Sequence, residues 1–189
     1  YIGCPHSCKY CYASFMKRFT RHPEPWGEFI DIKRCEKPIN LKKIAGKNVF
    51  MSTVTDCYNI YENKYRITHS ILEQLVNAEC ILQVATKSKL ILRDIDLTKK
   101  MRRASVAIST NTLDDDCRKD MDCAGSIPDR LETLKTLHEH GIYTILFMSP
   151  IFLYITYWKT SIDTTREYVH EYWCEDLNLR GGYKRAIME

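Results

Sequence analysis

The sequence predicts an α/β fold, a parallel sheet with helices outside it, organised as a single domain over residues 1–189. Two observations predict it. Short apolar runs rich in β-branched residues recur along the chain, and stretches of helical period separate them, the alternation that a parallel sheet requires. At 189 residues the chain also has enough length for one substantial core and too little for two ordinary ones.

Taken in order, Asn48 to Ser52 reads as a strand, and Lys64 to Ala78 as a helix with Ile67, Ile71, Leu72 and Leu75 on one face. Cys80 to Thr86 is a second strand and Ser105 to Ser109 a third. Asp129 to His140 is a helix with Leu131, Leu134 and Leu137 inward and Gly141 as its stop signal. Ile142 to Met148 is a fourth strand, Ser161 to Trp173 a helix, and Asp176 to Leu179 a fifth strand. Trp26 to Ile32 reads as a packed edge strand from its alternation, and its aromatic and basic surroundings, Phe15 through Lys33, offer a second reading as a surface that stacks a base or peptide. A strand belongs before Cys4, yet only Tyr1, Ile2 and Gly3 precede it, so the fold reads as clipped at its N-terminal edge.

Composition narrows the class without naming an activity. Hydrophobic residues make up 44% and charged residues 28%, the proportions of a globular protein. No apolar run reaches the roughly 18 residues of a membrane helix, so no membrane partner is expected. A net charge of +4, from 28 basic and 24 acidic residues, is too mild to argue for nucleic acid unaided. Nine cysteines form no paired disulfide framework and no signal-peptide pattern opens the sequence, so a reducing, cytoplasmic setting is expected.

Chemistry concentrates in one motif. Cys4, Cys8 and Cys11 follow C-x3-C-x2-C spacing in the run Cys4 to Ala13, and no fourth ligand follows at zinc-finger spacing. A cubane 4Fe-4S cluster normally takes four cysteines; with three, one iron is left open to a small molecule. A zinc-stabilised nucleic-acid-binding module without catalysis, using the same cysteines, is the alternative from another class, and an electron-transfer ferredoxin a third. Polar residues end every strand, where ligands bind in parallel α/β sheets: Asp56 suits an ammonium, Lys87 a carboxylate and Ser109 a ribose hydroxyl, each competing with an ordinary turn or cap role.

The cysteine spacing, with Tyr10 just before the third cysteine, resembles the radical S-adenosylmethionine (SAM) superfamily. The segments Cys4 to Ala13, Phe50 to Glu62, Ala85 to Asp96, Ala107 to Asp116 and Arg130 to Pro150 further resemble its spore photoproduct lyase-related branch. That resemblance implies a partial (β/α)6 barrel, a 4Fe-4S cluster on Cys4, Cys8 and Cys11, and SAM chelated at the open iron. It also implies reductive cleavage of SAM to a 5'-deoxyadenosyl radical that abstracts hydrogen from a substrate. Tyr10 joins the cofactor site, Ser52 and Asp56 lie near the SAM amine, Lys87 at its carboxylate and Ser109 at the ribose, with the backbone around Met148, Pro150 and Ile151 at the adenine. A reductant such as flavodoxin or ferredoxin is the implied partner; the substrate is left open, with nucleic acid one candidate.

Departures from the branch pattern fall on the substrate side. Photoproduct lyases carry a hydrogen-donating cysteine where Thr53 aligns, and Cys57, four residues on, is the candidate replacement. Asp122-Cys123, Leu153-Tyr154 and Tyr157 also differ from the branch. Cys117 and Cys123 are a loose pair, and the isolated cysteines read mainly as small buried hydrophobes.

Overall fold

A computed structural model describes all residues except Cys35, Glu36, Ser52, Arg180 to Tyr183, Arg185, Ala186, Met188 and Glu189. After the cysteine loop and a 3-10 helix over Tyr12–Phe19, the elements are α1 (Leu41–Ile44), β1 (Asn48–Met51), α2 (Glu62–Tyr65), α3 (Ile67–Leu75), β2 (Ile81–Thr86), α4 (Ile95–Lys100), β3 (Arg103–Ser109), α5 (Asp115–Met121), α6 (Ile127–Glu139), β4 (Tyr143–Ile151), α7 (Trp158–Thr165) and β5 (Glu171–Asp176). The five strands form one sheet in the order β1-β2-β3-β4-β5, every pairing parallel. The sheet is open, as a partial barrel is.

Strand alternation sorts the side chains into two sets. Leu82, Val84, Val106, Ile108, Leu146 and Met148 join Leu72, Leu75, Leu134 and Leu137 of α3 and α6 in the main core. Ala85, Ala107 and Ile145, with Phe147 and Trp173 against them, form a second, smaller cluster. Small residues there leave room above the sheet. Leu134 and Leu137 are fully buried, and truncating such a leucine to alanine costs about 2–5 kcal/mol. Helix α6 begins where its sequence says it should: the Ser126 hydroxyl caps the Asp129 amide at 3.2 Å, and Pro128 sits in the first turn.

Four predicted elements differ. The helix expected over Lys64 to Ala78 is broken at Arg66, whose φ is 48°. The cause is Glu62: its buried carboxylate accepts from the Thr68 and His69 amides at 3.0 and 3.1 Å, capping α3 from the preceding short helix, while Arg93 neutralises it at 2.8 Å. The helix expected over Ser161 to Trp173 stops at Thr165, whose hydroxyl bonds back to the Ser161 carbonyl at 2.7 Å, a competitor of helix continuation. Tyr172 and Trp173 then belong to β5, which starts five residues before the predicted fifth strand. Finally, Trp26 to Ile32 is not a strand: Asp31 makes an isolated antiparallel bridge with Ile2, and its aromatics pack on one another instead.

Candidate functional site

Beyond the carboxyl ends of the strands lies a cavity of about 760 Å³. Cys4, Cys8, Cys11, Tyr10, Asp56, Lys87, Ser109 and Pro150 all line it. Ser52 lies outside the described residues. Met148 does not line the cavity; its side chain is fully buried in the main core, so only backbone from this residue can face a ligand. Cys57 is likewise absent from the wall and packs in the main core beside Tyr58 and Leu72.

The cysteine loop is local in sequence and held by distant chain. Cys11 N–H donates to the Cys8 carbonyl at 3.1 Å, Lys9 N–H to Met121 at 2.9 Å, and Cys123 N–H to His6 at 2.7 Å. Gly3 and Gly27 permit the close packing beneath it. Both have φ in the left-handed region, and a Cβ would stand 2.2 Å from the Phe29 carbonyl oxygen at Gly3 and 2.7 Å from Ser7 Oγ at Gly27; no side chain fits.

Tyr10 is buried and donates its hydroxyl to Asp122 at 3.0 Å. Asp122 in turn pairs with Arg130 at 2.7 Å, both side chains almost wholly out of solvent. Arg130 also donates to the carbonyls of Gly125 at 2.8 Å and Ser109 at 3.1 Å. One guanidinium therefore ties the start of α6, the end of β3 and, through Asp122 and Tyr10, the cysteine loop. Nothing in the local sequence pairs residues 10, 122 and 130, although Asp122 already stood out as a departure from the branch.

Asp56 lines the cavity and is also engaged by its neighbours. Its Oδ1 accepts from Tyr58 N–H at 2.9 Å and Thr86 hydroxyl at 2.7 Å, and Oδ2 from Lys87 N–H at 2.8 Å, with His6 Nδ1 at 3.4 Å. Its carboxylate is thus largely occupied in holding the turns after β1 and β2 together. The Lys87 ammonium is left over the cavity, 5.7 Å from the Tyr10 ring centroid. Burial lowers the His6 pKa, partly opposed by Asp56, so this ring stays neutral near pH 7.

The three thiols share one electrostatic situation. Burial, reinforced by the Asp56 charge, pushes Cys4 up to about 11. Burial pushes Cys8 up to about 12 against the attraction of Lys87. Burial also raises Cys11, opposed by the Ala13 amide, the Trp26 side chain and Lys87. Buried thiols keep their protons until a metal displaces them. An all-sulfur donor set is the chemistry of soft sites such as iron-sulfur clusters, so the residues present fit that group.

Tyr12, Phe50 and Thr53 also line the cavity, with Glu175, Asp176 and Asn178. The Tyr12 hydroxyl donates to the Thr53 carbonyl, and Ser149 hydroxyl to Glu175 at 2.6 Å. These acidic residues reach the mouth because β5 starts earlier than its sequence suggested. Cys80 belongs to the main core, and Cys117 and Cys123 do not line the cavity.

Comparison with known proteins agrees with this arrangement. The family model of the radical SAM superfamily matches residues 1–162. An uncharacterised protein of Methanocaldococcus jannaschii is 36% identical over 182 residues, covering 95% of this chain and 69% of its own length. Among solved structures, a spore photoproduct lyase mutant with bound SAM and dinucleoside spore photoproduct superposes with a TM-score of 0.70 at 14% identity, over 98% of this chain and 57% of that one. Streptococcus suis SuiB bound to SAM gives 0.65 at 12% identity, over 96% and 40%. The chain thus spans little more than half of the photoproduct lyase, and these structural likenesses speak for the fold. Among the described residues no helix is long and apolar enough to cross a membrane. With the family model covering most of the sequence and the cysteine loop, open parallel sheet and cavity as described, the chain belongs to the radical SAM superfamily of enzymes.

Proposed function

We propose that this chain holds a 4Fe-4S cluster on Cys4, Cys8 and Cys11 and binds SAM at the iron without a protein ligand. The observation that carries the reading is that all three cysteines, Lys87, Ser109 and Pro150 wall the same cavity. The chemistry such a cluster supplies is one-electron cleavage of the SAM sulfonium, giving the radical equivalent that abstracts hydrogen from substrate. The protein's part is positioning and exclusion of water. Lys87 offers a charge-assisted hydrogen bond to the SAM carboxylate, Ser109 a partner for a ribose hydroxyl, and the backbone from Met148 to Ile151 a polar edge for adenine. Tyr10, fixed by Asp122, buttresses the cysteine loop from inside. Asp56 sets the Lys87 turn, and Ser52, outside the described residues, is proposed with it as a ligand of the SAM amine.

The zinc-module alternative finds no support in the family match. Substrate selection belongs to the Tyr12, Phe50, Thr53 and Glu175 side. Cys57 is not the proposed hydrogen donor, because its thiol lies in the core. A small reductant such as flavodoxin or ferredoxin would deliver the electron in the cytoplasm.

The deciding experiment is anaerobic reconstitution with iron and sulfide, then incubation with SAM and dithionite and chromatography for 5'-deoxyadenosine. A brown protein that forms it supports the reading; a colourless, iron-free protein that leaves SAM intact overturns it.

A further inference from the structure

Residues 1 to 23 carry four cationic side chains, Lys9, Lys17, Arg18 and Arg21, and no acidic one. Of the acids that follow, Glu24 and Asp31 are engaged by His22 at 3.3 and 2.8 Å, and no ion pair among the described residues involves any of the four cations. The Arg18 guanidinium lies instead 4.6 Å from the centre of the Phe19 ring and 5.5 Å from that of Phe15, a cation held over aromatic faces. Both rings are open to solvent, Phe19 67% and Phe15 47% exposed. The 3-10 helix that presents them is set directly on the cysteine loop: Ser14 N–H donates to the Cys11 carbonyl at 3.2 Å. Its far end is closed by Thr20, whose amide and hydroxyl donate to the Lys17 carbonyl at 2.9 and 2.8 Å.

Phe15, Arg18 and Phe19 do not line the cavity, so they are not part of the pocket for SAM or for the reacting end of a substrate. A nucleic acid reaching that pocket would meet Glu175 and Asp176 in its wall, which repel phosphate. What needs the cysteines but not the cavity is a donor of electrons, and this face is close to them: at about 2.0 Å per residue of 3-10 helix, Phe15 stands about 8 Å along the axis from Cys11. Aromatic rings and arginine carry protein interfaces, and a cationic face steers an acidic partner onto them. We propose that Phe15, Arg18 and Phe19 dock an acidic one-electron carrier protein. The carrier is oxidised by one electron, the cluster is reduced by one, and no atom is transferred. The inference rests on the cluster reading above.

The test uses the reconstituted chain, an acidic flavodoxin and an acidic ferredoxin as probes, and dithionite as a reductant that needs no docking face. Arg18→Glu is expected to load iron and to form 5'-deoxyadenosine with dithionite as the wild type does, yet to bind the carriers about tenfold more weakly. Calorimetry reads that binding independently of activity, and carrier-driven SAM cleavage should fall with it. Undiminished carrier binding in iron-loaded Arg18→Glu overturns the proposal. Should that variant fail to load, the wild type decides: its carrier binding must weaken from about 0.01 M to about 0.1 M ionic strength, as the screening length shrinks from about 30 Å to about 10 Å, and binding indifferent to salt overturns the proposal. An Arg18→Glu chain that keeps its carriers and loses a single-stranded oligonucleotide makes this a nucleic-acid face and overturns it too. A wild type that takes up no iron and leaves SAM intact with dithionite overturns the cluster reading and this inference together, whereas a wild type that cleaves SAM with dithionite and binds neither carrier overturns this inference alone.

Discussion

The Tyr10 hydroxyl reaches the Asp122 carboxylate at 3.0 Å across 112 positions of sequence, and Asp122 is the buried partner of Arg130. Breaking such a pair strands a charge. Arg130→Met is therefore expected to lower unfolding free energy by about 3–5 kcal/mol, read by denaturant titration, while Tyr10→Phe, which removes one hydrogen bond, should cost about 0.5–1.5 kcal/mol. Equal, small losses in both would show that the guanidinium is not the keystone of this junction.

Single alanine variants of Cys4, Cys8 and Cys11 are expected to be colourless or iron-poor after anaerobic reconstitution, since each loss leaves another iron without a protein ligand. Iron content and visible absorbance measure this. Cys80→Ala, a core substitution away from the cavity, should load normally. Full iron in Cys8→Ala would refute the ligand set.

Lys87→Ala should retain its cluster and bind SAM roughly tenfold or more weakly, the ~1.5–3 kcal/mol of a hydrogen bond to a charged group. Equilibrium binding to the reconstituted protein is the measurement. Undiminished affinity would make the ammonium's position over the cavity incidental.

No efficient repair of spore photoproduct is expected. Thr53, which the resemblance aligns with the donor cysteine of the branch, lines the cavity, and a threonine O–H is too strong to quench a carbon radical at a useful rate. Cys57 is buried in the core, although the chain from Asp56 to Asn59 makes a turn and does not stay extended. Offered a dinucleotide photoproduct, the reconstituted enzyme should cleave SAM without stoichiometric repair. Clean turnovers abolished by Cys57→Ala would reverse this conclusion.

Acid should weaken the fold through Asp94. Burial raises its pKa, but hydrogen bonds from Arg93 and His69 outweigh burial and hold it below the ordinary 3.8. A depressed folded value contributes stability above the unfolded one, and the contribution is lost as pH falls through 3.8 toward the folded value. Urea titrations from pH 7 to pH 3 should show that loss, and Asp94→Asn should be less stable at neutral pH with a shallower decline. Parallel declines in the two proteins would assign the acid sensitivity to other carboxylates.

Much of the sheet was legible because the central strands carry deeply buried apolar residues: Leu82, Val84, Val106, Ile108 and Leu146 are each 2% exposed or less. The edges were less so. β5 is largely exposed, and Ile162, Thr165, Tyr168 and Val169 just before it mimic a helical stripe. The cavity-lining residues at strand ends stood out by their hydroxyls and charges alone, whereas the contacts Asp56 makes with Thr86 and the Lys87 amide exist only after β1 and β2 pair. The break at Arg66 was illegible for the same reason, since Glu62 caps α3 only once Arg93 arrives to neutralise it.

The hydrogen bonds from Lys9 to Met121 and from Cys123 to His6 set an order of assembly. Three cysteines within one short loop suggest a site that an N-terminal fragment could build unaided. Yet the cradle around that loop closes only when chain more than a hundred residues away has been made and α5 and α6 have docked. A nascent chain therefore carries the thiols long before it carries their setting, and iron arriving early would meet a floppy chelator in place of a preorganised one. Insertion of the proposed cluster would, by that reasoning, be a late event, coupled to completion of the β3–α6 half of the fold and open to competition from other thiophilic metals until then.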